Sequence, residues 1–162
     1  MPAGPTYEPI ATTTLSSSQS SVTFSSISGS YTDLVYVIYN KTGGVNTGIR
    51  FNSDGGSNYS LTQLYGDGSA TASLRSSNVT YGIAGVIQSD ATVVGHIMNY
   101  SNTTTNKTLI GRGGAGSGTY VDICVTLWRS TSAITSVTFY QGENTGTWAS
   151  GSTFTLYGIK AA

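Results

Sequence analysis

Apolar and polar residues alternate along most of this chain. In Val121-Asp122-Ile123-Cys124-Val125-Thr126-Leu127-Trp128, the residues Val121, Ile123, Val125 and Leu127 fall on one face and mostly polar or amphipathic groups on the other. Ser136 to Tyr140 and Thr153 to Tyr157 alternate in the same way. A period of two bounded by Gly, Ser and Asn predicts strands with one buried face, and the apolar set is expected to be the buried one. Ile10 to Leu15 and Ser21 to Ile27 read as short edge strands rich in Ser and Thr. Leu34 to Tyr39 is apolar on both faces, which suits a central strand covered on both sides or a strand with one face buried in a partner.

Tyr59 to Tyr65, Val79 to Ile87, Val93 to Tyr100 and Lys107 to Ile110 add further strands, while residues 70–78 are weakly patterned. Between them lie concentrated turn signals. Asn52-Ser53-Asp54-Gly55-Gly56-Ser57-Asn58 is one, and the Asp-Gly pair at Asp67-Gly68 suits a tight hairpin. Gly111 to Gly118 is so glycine-rich that it reads as loop throughout. No stretch of ten residues has helical periodicity. About eight to ten short strands in one small chain predict an all-β domain, an antiparallel β-sandwich or jelly roll. Residues 1–14 read as an extended N-terminal arm with a first edge strand, and 15–162 as the sandwich. The three prolines all fall in Met1 to Pro9, a stretch expected to have no strand-ladder capacity of its own.

Composition narrows the function. Only 9% of residues are charged, against about 25% in ordinary soluble domains. Seven basic residues balance seven acidic ones without forming a run, so the basic stripe of a phosphate-neutralising nucleic-acid binder is missing. Near-zero net charge is a solubility liability for a free monomer and favours life inside an assembly. Eleven tyrosines and many Thr, Val and Ile separate the chain from disordered polar sequences. Neither an apolar run long enough for a membrane span nor a signal-peptide pattern is evident.

Candidate chemistry is sparse. His96 is the sole histidine and sits mid-strand, where packing is the default role. One His and one Cys cannot supply a zinc site, and Cys124 reads as a buried inert thiol. Asn52, Asp54, Asn58 and Asp67 offer oxygen ligands of the kind calcium takes, but the terminal bidentate Glu of a calcium loop is missing and hairpin turns explain the same residues. Arg112 to Gly118 lacks the helix and Lys-Ser/Thr pair of a phosphate loop. Of the acidic pairs, neither Asp54 with Asp67 nor Asp122 with Glu143 has a reason to meet. No catalytic residue, metal or cofactor is expected. Trp148, flanked by small polar residues, is expected at the surface as a subunit contact, with local packing or glycan stacking as alternatives. Trp128 is expected in the core.

Several segments resemble small structural proteins of tailed bacteriophages. They are Ser21 to Ile27 with Tyr31 to Leu34, Ile49 to Asp54 with Asn58-Tyr59, and Asn99-Tyr100 with Asn106 to Thr108. The closing segments Leu127 to Ile134 and Phe154 to Lys160 are the most specific. The resemblance runs from about Leu15 to the end and implies a virion component that brings no catalytic residue. From it we expect a capsid decoration (cement) protein, a homotrimer bound to the major capsid protein and to copies of itself at the virion surface. The alternative is a tail or fibre module that binds host-surface glycan. Expected contact residues are Pro2, Pro5, Tyr7 and Pro9 on the arm, Tyr36 and Tyr39 on the doubly apolar strand, and Trp148.

Overall fold

A computed structural model of the chain describes residues 6–41, 46–86, 90–116, 118–142 and 146–160. It is all-β, with twelve strands: β1 (Tyr7–Thr14), β2 (Ser21–Phe24), β3 (Asp33–Asn40), β4 (Asn46–Phe51), β5 (Tyr59–Gly66), β6 (Thr71–Val79), β7 (Gly82–Val86), β8 (Ala91–Met98), β9 (Lys107–Gly114), β10 (Val121–Trp128), β11 (Val137–Gln141) and β12 (Thr153–Ile159). They form two antiparallel sheets. The large one has eight strands in the order β1-β12-β3-β8-β9-β10-β5-β6, and the small one has the order β2-β11-β4-β7. This is the expected sandwich. Four strands cannot cover eight, so β6 lies beyond the cover and is exposed along nearly all its length.

The core lies between the sheets. Leu34, Tyr36 and Ile38 from β3, Val93 and Ile97 from β8, and Phe154 and Leu156 from β12 face Val22, Ile49, Phe51, Val137 and Phe139 of the small sheet. Two close approaches depend on glycine. A Cβ on Gly95 would overlap the Tyr36 ring, and one on Gly111 would overlap the Ala84 carbonyl. Those glycines let the Tyr36 hydroxyl cross the sandwich and donate to the Ala84 oxygen at 2.6 Å.

Four sequence expectations are corrected. On β10 the buried side chains are Asp122, Cys124, Thr126 and Trp128, while the apolar row faces outward, with Val121 59%, Ile123 46% and Val125 40% exposed. The neighbours decide this, because β10 pairs Trp128 with Tyr59 and with Lys107, all three pointing inward. In a sheet, one large inward anchor fixes the facing of the whole strand. The Gly111–Gly114 stretch is the end of β9, laddered to β8 and β10, because two flanking strands supply hydrogen bonds that its own propensity does not favour. Residues 7–9 of the arm pair with β12 (Tyr7 with Ile159, Pro9 with Tyr157) before a bulge at Ile10. Proline is tolerated there because β1 is an edge strand. The weakly patterned segment 71–79 is strand β6, paired to β5.

Candidate functional site: the outer face of the large sheet

Two of the expected contact residues are inside the molecule. Tyr36 is fully buried, and burial first, then Cys124 and Asp122, push its phenol well above the ordinary range. Trp148 is also fully buried, against the expectation that it is a surface residue. A backbone bridge to Gln19 turns its segment inward, and its ring packs edge-on against Phe154 at 4.7 Å. Trp128 is in the core as expected. Tyr7, Pro9 and Tyr39 lie on the large sheet and are exposed, with Tyr7 edge-on to Tyr157 at 6.4 Å. Pro2 and Pro5 lie outside the described residues.

The strand registers assemble a surface that the sequence reading missed. Reading across the large sheet, Leu64 of β5 stands beside Ile123, then Arg112, Val94 and Val37. The adjacent row runs Val125, Ile110, His96, Val35 and Tyr157. These side chains point away from the core. Leu64 is 55% exposed and Ile110 40%, and Val35, Val37 and Val94 are half-buried. The band crosses six strands and is mainly aliphatic, interrupted by Arg112, His96 and Tyr157. Two grooves cut it: one of 670 Å3 between Leu64, Ala72, Val121 and Ile123, and one of 290 Å3 between Tyr7, Val35, His96, Ile110 and Arg112. They share Ile123. The outer face of the small sheet differs. It carries Thr23 and Thr138, whose hydroxyls meet at 3.0 Å, and Arg50, which donates to the Thr80 carbonyl.

Polar groups that suggested chemistry are engaged structurally. His96 Nε2 lies 3.1 Å from Asp33 Oδ2, and Asp33 Oδ1 accepts from the Asn99 N–H. Asp54 accepts from Trp128 Nε1 at 2.7 Å, Asn58 Nδ2 at 2.9 Å and the Gly56 N–H. Desolvation alone would raise its carboxyl, but those donors outweigh it and hold the group below the usual carboxylate value. Asp67 closes its own turn on the N–H groups of Ala70 and Ser69, which lower its pKa to about 2. Among the described residues no three His, Cys, Asp or Glu side chains gather as a metal site. Burial, with Asp122 nearby, pushes the Cys124 thiol up to about 12, the state of an inert thiol.

Segments 49–54, 58–59, 106–108 and 127–134, all within the phage resemblance, meet at one end of the sandwich. Arg129 donates to Ser60, to the carbonyls of Ser57 and Tyr59, and to Asn78 Oδ1. Asn52 bonds the Ala133 carbonyl and the Thr135 and Ser136 N–H groups. Lys107 is fully buried, donating to the carbonyls of Thr105 and Thr131. This knot anchors loops and leaves no open chemistry.

No family model and no curated protein matches the chain. Among solved structures it is similar to the crystal structure of the marine PL-14 alginate lyase from Aplysia kurodai. The identity is 12% and the TM-score 0.33, over 84% of this chain and 72% of that one. A likeness that distant bears on neither the activity nor the ligand of this chain.

Proposed function

We propose that this chain is a structural protein of a tailed-bacteriophage virion. Its role is capsid decoration: it binds the assembled head and stabilises it by mass action, since a ligand of one state alone favours that state. The major capsid protein and further copies of this chain, as a homotrimer, are its partners at the virion surface, and no catalysis is involved. The carrying observation is the aliphatic band on the outer face of the large sheet, beside the family-like segments that build the knot. Exposed apolar patches of more than a few hundred Å2 mark interaction sites on soluble proteins. Covering on the order of 400 Å2 of such surface at ~25 cal/mol per Å2 yields roughly 10 kcal/mol. That is comparable with the ~4–15 kcal/mol cost of association, so attachment would draw on directional contacts and on many copies binding one lattice as well.

A glycan-gripping tail module finds less support. Its stacking platform was Trp148, which is in the core; the rings left on this face, Tyr7, Tyr39 and Tyr157, stand only at its β1-β12-β3 end. The test is the stoichiometry of this chain against the major capsid protein in purified particles. A simple lattice fraction supports decoration; a handful of copies per particle overturns it.

A further inference from the structure

A polar layer closes the end of the sandwich opposite the knot. Strand β4 leaves this end at Thr47 and reaches the knot at Phe51. Ile38, Ile49, Phe139 and Phe154 are core residues on four different strands. Two positions further along each strand, toward this end, the inward sites hold Asn40, Thr47, Gln141 and Ser152. All four are buried, and so is Trp148, whose ring rests on Phe154.

Two members of the layer pair with each other. Asn40 Oδ1 accepts from the Ser152 hydroxyl at 3.4 Å, and that hydroxyl also takes the Lys41 N–H at 3.3 Å. The other three do not pair. The Thr47 hydroxyl, Gln141 Nε2 and Trp148 Nε1 are shielded from solvent and have no hydrogen-bond partner among the described residues. They share one corner. Thr47 and Gln141 face each other across the ladder, and a Cβ on Gly146, two residues before Trp148, would overlap the Gln141 amide oxygen. The Tyr140 hydroxyl is also unpaired, but it lies on the opposite face of β11, where Arg50 covers the ring at 5.1 Å.

Buried polar groups left unpaired are costly, and folded proteins satisfy nearly all of them. Three in one corner therefore specify an occupant. Two are N–H groups that only donate, and the third is a hydroxyl, so the occupant must accept twice and is able to donate. No charged side chain belongs to the layer, which disfavours an ion. The three atoms are closed to solvent, so a larger molecule has no way in. Water has the required pattern, and an internal water typically makes about three hydrogen bonds to such groups.

We infer that this corner is an internal water site. The water accepts from Gln141 Nε2 and Trp148 Nε1 and donates to Thr47 Oγ1, tying the Trp148 segment to β4 and β11. The site is separate from the outer face of the large sheet and stands whether or not the chain decorates a capsid.

The test uses the full chain labelled with 15N. Selective excitation of water reads the NOE and ROE at the Trp148 Nε1 and Gln141 Nε2 protons. Cross-peaks of opposite sign mark a bound water, and cross-peaks of one sign mark proton exchange. Thr47→Val removes the neighbouring hydroxyl proton that would relay the signal. Gln141→Met keeps length and deletes the amide. We expect opposite-sign cross-peaks at both groups in wild type, kept at Trp148 in Thr47→Val. The urea midpoints of both variants should lie at or below wild type, because each takes a partner from a bound water. In a dry corner both replacements would relieve an unpaired group and raise the midpoint. A raised midpoint in both variants overturns the inference. So does a wild type without opposite-sign cross-peaks at either group, or their loss at Trp148 in folded Thr47→Val. If a variant does not fold, the wild-type spectra decide alone.

Discussion

The knot at one end of the sandwich and the band across the large sheet are built from opposite materials. The knot is polar and densely bonded: Arg129 alone serves four acceptors on two segments, and Asp54 joins the Trp128 indole to the turn at Gly56 and Asn58. The band is mainly apolar, with exposed Arg112 at its centre and Arg75 at its β6 margin. The segments most recognisable in sequence hold the fold together, whereas the surface best suited to meet a partner carries no recognisable motif. Recognisable residues here report architecture. The outer face of the large sheet is mainly aliphatic and carries no motif a sequence comparison would pick out.

The largest effects should come from breaking the knot. Trp128→Ala removes a buried indole packed against Phe51 and Tyr59 at 5.6 and 6.4 Å and one of three donors to Asp54. We expect a loss of about 3–5 kcal/mol in urea unfolding, with an unchanged m-value. Arg129→Met, which keeps length but deletes every donor, should cost about 2–3 kcal/mol. If both variants unfold like wild type, the knot is decoration and the contrast with the band collapses.

Changing the band should do the reverse. Leu64→Thr, Val121→Thr and Ile123→Thr together replace exposed apolar groups at positions where threonine suits a strand. Stability should move by no more than about 1 kcal/mol, since such surface changes away from caps and buried networks cost little. Attachment to particles should fall by tenfold or more. Unfolding on the scale of Trp128→Ala would mean that the band is core in the free protein.

The smallest effect is a pH signature in the β5–β6 turn. Its donors hold Asp67 at about 2 in the folded chain, below its ordinary 3.8. A carboxylate depressed on folding adds stability that is complete above its unfolded pKa and lost as pH falls through the folded one. The melting-temperature difference between wild type and Asp67→Asn should therefore be flat above about pH 4 and close between about 4 and 2. A difference that persists unchanged to the acid end would show that the turn does not depend on the charge.

Much of the fold was legible. The central strand 33–40, the strands at 121–128 and 153–159 and the hairpin at Asp67-Gly68 follow from alternation and turn chemistry acting locally. Facing was not legible. On β10 both faces could be buried, one lined by Val121, Ile123 and Val125 and the other by Cys124, Thr126 and Trp128. One-dimensional hydropathy favoured the first set. The glycine run 111–114 was misread for a related reason: strand formation there is imposed by the flanking strands β8 and β10, while β7 of the other sheet packs so close that no side chain fits at Gly111. Trp148 was misplaced because its flanking Ser, Thr and Gly are polar, and the bridge to Gln19 that turns it inward joins residues far apart in sequence.

The sequence alone determined that the chain is all-β, weakly charged, poor in catalytic groupings and rich in turn signals, because each of these depends on residue type and near neighbours. Tertiary structure decided which face of each strand is core. Register with the adjacent strands, and the single large side chain that must be buried, fix the facing of a whole strand at once. Only that choice turned Val121, Ile123 and Val125 outward and set Arg112 among them.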